Sequence, residues 1–267
     1  MGDAGVRTNC SDDLLFLPLV CALCAGEYGE NSFLDKRIAY LDSAPLTDEK
    51  DRYERPKKTA HKESLYHHCL RALYRTAART LPSGLIATGS CDWNDGLSDI
   101  GGASVFTTQL FALALGAFLG IAKEDDRPRL EELRENVLSA LVNCRAADRY
   151  PRAVLDDGTL LGTEGNDALR ISLLTQAFGV FACPDGFSKR AILTAYEHLW
   201  DRERRLFLLF SPPFDRPKRF PGYLAAYCPG FRENGGQYTH AAIWGAMALL
   251  LSGEHEKGFE VLRAQNP

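Results

Sequence analysis

The sequence predicts an all-α protein in which two concentric rings of antiparallel helices enclose one core, with a single short β-hairpin. Three observations lead there. Helical periodicity covers eight segments of a 267-residue chain, while convincing period-two strands are few. Segments that are apolar nearly all round alternate with amphipathic ones, as a buried inner ring and a half-exposed outer ring require. Hydrophobic residues make up 45% of the chain and charged residues 25%, enough apolar material for one good-sized core.

In chain order, the first helix spans Asp12–Glu27. Ser11-Asp12-Asp13 offers a hydroxyl and two acids where free backbone N–H groups and the helix dipole favour them, and the apolar run Leu14–Ala25 follows. Glu63–Thr80 is the second helix. The third, Ser104–Lys123, has Ser104 as its cap and the apolar run Leu110–Ala122. Arg129–Cys144 is amphipathic and belongs outside. Arg152–Gly162 reads as the hairpin, with Asp157-Gly158 at its turn. Asp167–Ala182 is a buried helix, Lys189–Asp201 an outer one, Tyr238–Ser252 again buried, and His255–Ala264 closes the series. Two long loops, Leu81–Gly102 and Ser211–Gly236, each lead into a buried helix, so they converge on one end of the array. Loops that long within a compact domain are usually functional.

Composition removes several functions. With 31 Lys+Arg against 35 Asp+Glu the net charge is −4, which leaves no basic footprint for nucleic acid. The longest apolar runs are too short to span a bilayer. The start MGDAGVRTNCSDD lacks the basic and apolar regions of a signal peptide. Eight scattered cysteines in a chain this size argue for a reducing, cytoplasmic compartment rather than a disulfide scaffold. Cys21 and Cys24 form a C-x-x-C inside an apolar run, and read as core residues. His67 and His68 point in different directions from one helix, so no metal site is expected. Neither a P-loop, a G-x-S-x-G nor an H-E-x-x-H motif is present.

Two constellations could carry chemistry. Cys91-Asp92-Trp93-Asn94-Asp95-Gly96 puts two acids, an amide and an indole on a glycine-bounded loop. An indole stacks on the apolar face of a sugar, while carboxylate and amide bond its hydroxyls. A carboxyl beside an aromatic has its neutral form favoured, as a general acid requires. The same residues would also make an Asx-turn with a packed Trp. The second, Pro229 to His240, presents Arg232 as a planar fork for an oxyanion and His240 as a donor near a helix start. Equally, it could be a glycine-rich turn before a capped helix.

The segment GLIATGSCDWNDGLSDIGGASVF resembles the DWNDG region of the inverting sugar phosphorylases of glycoside hydrolase family 94. PGYLAAYCPGFRENGGQYTHAAIW is similar to a second signature of that family. GVRTNCSDDLLFLPLV and SPPFDRPKRFPGY are most similar to its cyclic-glucan-synthase branch. The resemblance covers essentially the whole chain. It implies an (α/α)6 barrel, with Asp95 as general acid, Trp93 lining the donor-sugar site, Asn94, Arg232 and Glu233 contacting substrate, and His240 binding phosphate. The partners it implies are a β-linked oligosaccharide or glucan and inorganic phosphate, with no metal or organic cofactor.

Departures shape the remaining expectations. Eight or nine helices fall short of a twelve-helix double ring, so residues 1–267 are expected to be one incomplete catalytic domain. The family's amino-terminal β-sandwich is expected to be absent, and the missing parts of the same enzyme are a further expected partner. Cys91 stands where the family usually has Gly, and Ser98-Asp99 where it has Asn-Arg. A non-catalytic, sugar-binding remnant is the alternative, as is an inverting hydrolase with Glu233 as base.

Overall fold

A computed structural model describes residues 4–46, 51–217 and 221–266. Eight α-helices lie among them: α1 (Phe16–Tyr28), α2 (Leu65–Ala77), α3 (Val105–Leu119), α4 (Arg127–Asn143), α5 (Leu173–Ala182), α6 (Gly186–Leu199), α7 (Thr239–Leu251) and α8 (His255–Gln265). The odd-numbered helices form an inner row in the order α1, α3, α5, α7. Each even-numbered helix packs behind the odd one that precedes it or lies beside it: α2 on α1, α4 on α3, α6 on α5 and α8 on α7.

The central members are buried as their composition demands. In α3, Val105, Phe106, Leu110, Phe111, Leu115 and Phe118 are all closed to solvent, and in α5 only Phe181 retains partial access. The end members differ from expectation. Leu17, Val20 and Leu23 of α1 and Ile243, Met247 and Leu251 of α7 are exposed, because each of these helices has an inner-row neighbour on one side only. An all-round apolar sequence is half-buried here because burial needs partners on both flanks.

The all-α expectation is corrected by the strands. Twelve short strands form five small antiparallel sheets among the described residues. β1 (Gly5–Arg7) pairs with β3 (Arg52–Glu54), and β2 (Arg37–Asp42) with β4 (Lys57–Ser64). β5 (Ile86–Ala87), β6 (Ala103–Ser104), β7 (Ala153–Val154) and β8 (Leu160–Leu161) make a four-stranded sheet, so the expected hairpin is half of a larger unit. β9 (Ile171–Ser172) pairs with β12 (Phe210–Ser211), and β10 (Trp200–Asp201) with β11 (Leu206–Phe207). The protein is therefore mixed helix and sheet. The physical reason is backbone satisfaction: α3 and α5 are each entered directly from a buried two-residue strand, whose backbone needs partners from elsewhere in the chain. Helix α5 consequently starts at Leu173 and not near Asp167, since Ile171 and Ser172 are spent on pairing with Ser211 and Phe210.

The capping expectations divide. Ser104 does cap α3, accepting from Thr107 N at 3.0 Å. Asp12 and Asp13 do not cap α1, whose N-cap is Leu15 without any side-chain bond. No helix among the described residues is long and apolar enough to cross a membrane. Lys218–Phe220, within the second long loop, fall outside the described residues.

Candidate active site

The loop between β5 and β6 carries the first constellation, and its first acid is its anchor. Arg152 Nη1 donates to Asp92 Oδ2 at 2.7 Å and Arg152 Nη2 to Asp92 Oδ1 at 2.5 Å, a bidentate pair with both side chains almost fully buried. Ser104 Oγ adds a bond to Asp92 Oδ2 at 2.6 Å, and Asp92 Oδ1 accepts from Asn94 N at 3.1 Å. Asp92 thus folds the loop back on itself and ties it to α3 and to β7. The two acids of the motif are sorted by environment: Asp92 is buried and paired, Asp95 is exposed.

Trp93 projects from this loop towards α7. Its ring meets those of Tyr238 (5.7 Å between centroids), His240 (6.0 Å) and Trp244 (5.3 Å), each edge to face. The two constellations, far apart in sequence, are therefore in contact. They meet a second time through backbone. Leu224 N donates to Gly96 O at 2.9 Å, and Gly222, at φ +80°, lies so close that an added Cβ would be 2.5 Å from Ser98 N. The Tyr223 hydroxyl bonds Asp95, and burial followed by this carboxylate raises the Tyr223 pKa.

The second constellation divides its labour. Asn234 is fully buried and organises the loop, donating to Phe214 O and Tyr227 O at 2.9 Å and accepting from Phe214 N at 2.8 Å. Glu233 is buried. Its Oε1 accepts from the Tyr238 hydroxyl at 2.5 Å, and its Oε2 lies 3.4 Å from Arg232 Nε without a hydrogen bond. Arg232 is half-exposed at φ +49°, its guanidinium 4.8 Å above the Tyr227 ring. His240 is exposed at the second position of α7, whose N-cap Tyr238 supplies no side-chain bond. Asn94 is buried with Oδ1 unpartnered.

One residue that the motifs did not single out sits with them. Asp12, read from sequence as a cap, is only 3% exposed, and its Oδ1 has no hydrogen-bond partner. Burial, then the charges of Asp92 and Asp13, push its pKa up to about 8. The signal available in sequence was the Ser-Asp-Asp triplet preceding an apolar run, which is equally the signal of a helix start.

Among the described residues, no group of three or more His, Cys, Asp or Glu side chains is placed to hold a metal ion. A cavity of about 620 Å³ bounded by Tyr196, Arg202 and Lys257 lies on α6 and α8, away from both constellations.

An exposed carboxyl, an indole wall and a histidine at a helix start, converging at one end of a helical array, fit the catalytic domain of a carbohydrate-active enzyme. Residues 2–267 match the family described as glycosyl hydrolase 94 superfamily, catalytic domain. The chain belongs to that family. It is 35% identical to the cyclic beta-(1,2)-glucan synthase NdvB of Rhizobium meliloti (strain 1021), over 99% of this chain and 10% of that protein. It is 27% identical to an N,N'-diacetylchitobiose phosphorylase of Vibrio proteolyticus, over 98% of this chain and 32% of that protein. A solabiose phosphorylase of Paenibacillus borealis is 26% identical over 88% of this chain and 30% of its own length. The chain thus spans between a tenth and a third of the length of these relatives.

Proposed function

We propose that this chain carries the acid and phosphate-binding parts of an inverting phosphorylase, which converts a β-linked glucoside or β-glucan into an α-sugar 1-phosphate. The observation that supports this best is Trp93, which touches His240 while standing two residues from Asp95. A sugar ring against this indole would have the acid at one side of its anomeric carbon and the start of α7 at the other.

In that arrangement Asp95 protonates the departing glycosidic oxygen as the C1–O bond breaks. A phosphate oxygen, held by His240 and the free N–H groups of α7, forms the new bond to C1 from the opposite face. Inverting hydrolysis would need a second carboxylate to activate water, whereas phosphate is already an anionic nucleophile. Arg232, Glu233 and Asn94 contact the sugar hydroxyls. No organic cofactor is invoked; inorganic phosphate is the co-substrate. The compartment we assign is the cytoplasm.

We further infer that the inner row continues in the parent domain. The exposed apolar faces of α1 and α7, at its two ends, are what additional helices would cover.

The test is incubation with β-1,2-glucan or cellobiose, with and without inorganic phosphate, assaying glucose 1-phosphate. Phosphate-dependent release is the expected result for a longer polypeptide bearing this domain. Glucose released at equal rate without phosphate would overturn phosphorolysis in favour of hydrolysis. Sugar binding without turnover in that longer polypeptide would mean a non-catalytic remnant.

A further inference from the structure

Cys10 and Cys91 are joined by a disulfide, with Cα atoms 4.7 Å apart and a sequence separation of 81. We propose that this pair is a reversible dithiol–disulfide site, reacting with low-molecular-weight disulfides such as glutathione disulfide, and that its bond locks the Asp92–Asp95 loop to the segment bearing Asp12. The inference does not depend on the reaction proposed above.

The pairing is held in place by contacts that need no sulfur bond. The Cα separation is within the range disulfides use. Cys10 forms an antiparallel bridge with Gly89. Ser11 donates to Cys91 O from both its backbone N (2.8 Å) and its Oγ (3.2 Å), and Ser11 Oγ also meets Thr107 Oγ1 at 2.7 Å. Arg79 Nη2 donates to Asn9 O at 3.1 Å. This frame keeps the two sulfurs facing each other in either redox state, so reduction does not scatter them and oxidation does not need to find them.

Access is asymmetric. Cys10 is half-buried at the rim and Cys91 is only 5% exposed behind it, so an incoming disulfide meets Cys10 first. The Cys10 thiolate attacks one sulfur of glutathione disulfide, releasing one glutathione and leaving a mixed disulfide at Cys10. The Cys91 thiolate then attacks Cys10 Sγ and expels the second glutathione. In sum, two protein thiols are oxidised by two electrons and one glutathione disulfide is reduced to two glutathiones. Cys21 and Cys69 are also neighbours but are both free and both buried, which closes them to the same exchange.

The consequence is local to the loop. Cys91 directly precedes Asp92, and Cys10 precedes Asp12 by two residues. The bond therefore fixes the spacing between the strands of backbone that bear the two buried carboxyls, and it shortens the free length of the loop that presents Trp93 and Asp95.

The experiment equilibrates the native chain in glutathione buffers from fully reduced to fully oxidised and alkylates the remaining thiols. Non-reducing digestion and mass spectrometry then quantify the Cys10–Cys91 linked peptide, while hydrogen exchange follows the peptide covering residues 91–99. The expected result is a linked peptide that rises with glutathione disulfide, disappears on return to glutathione without denaturant, and slows exchange of that peptide several-fold. In Cys91→Ser neither the linked peptide nor the slowing occurs. If that variant does not fold, Cys10→Ser, altered at the rim, gives the same readout. Mixed disulfide at Cys10 with no linked peptide would overturn the site. A linked peptide that resists glutathione in the native chain, or one that leaves exchange unchanged, would overturn its reversible or locking character respectively.

Discussion

Arg152 and Asp92 form a bidentate ion pair that is shut off from solvent, 60 residues apart in sequence and 2–3% exposed. The pair joins β7 to the loop that carries Trp93 and Asp95. Burying two charges costs much of what their attraction returns, so its worth shows mainly when one partner is lost.

Replacing Arg152 by Met should therefore destabilise the fold by about 3–5 kcal/mol, since Asp92 is left buried and uncompensated. The double variant Arg152→Met/Asp92→Asn should recover a large part of that loss. Denaturant melts of the two proteins decide it. A single variant within ~1 kcal/mol of the parent would mean that Asp92 does not depend on Arg152.

Asp12 predicts a pH dependence with a definite sign. Its carboxyl titrates at about 8 in the folded chain against 3.8 ordinarily. Below the ordinary value both states are protonated and there is no penalty. Between about pH 4 and 8 the unfolded state ionises and the folded state does not, so stability falls as pH rises, by at most about 1.4 kcal/mol per pH unit. Asp12→Asn should remove this slope. Melts of parent and variant across that range should diverge towards high pH, with the variant the more stable; parallel curves would show that Asp12 ionises normally.

Asp95 separates activity from stability. Its side chain is exposed, so Asp95→Asn should change stability by no more than about 0.5 kcal/mol. In a longer polypeptide with phosphorylase activity the same change should abolish turnover while leaving sugar binding measurable by calorimetry. Full turnover in the variant would move the acid to another residue.

The exposed stripes on α1 and α7 predict association of the isolated chain. Val20, Leu23, Met247 and Leu251 are 45–69% exposed, and apolar faces of this kind mark contact surfaces. Leu23→Glu with Met247→Glu should shift sedimentation towards monomer and leave the helical circular dichroism unchanged. A parent chain that is monomeric at high concentration would contradict this.

Helix positions were legible in the sequence because a helix is bonded locally, each N–H to the carbonyl four residues back. All eight segments with helical periodicity do contain helices, displaced by a few residues at their ends. Of the strands, only the Arg152–Gly162 hairpin, which holds β7 and β8, was legible. Pairs such as Ile86–Ala87 with Ala103–Ser104 are two residues long, too short for any alternation to register, and exist only because a distant segment arrives beside them. That is what turned an expected all-α fold into a mixed one.

The candidate site shows the same division. Asp92 to Asp95 and Arg232 to His240 stand out because each group is contiguous and chemically dense, so residue types alone raised them. Their sequence could not say which acid is buried, because burial belongs to neighbours. Arg152, 60 residues away, took Asp92 into the interior and left Asp95 outside. The contact of Trp93 with His240, the burial of Asp12 and the meeting of Cys10 with Cys91 are likewise products of chain return over 70 residues or more. Sequence by itself determined the local elements and the chemical vocabulary. Tertiary packing decided which groups are charged, which are shielded and which face one another, because solvation and Coulomb interactions depend on distance in space and not along the chain.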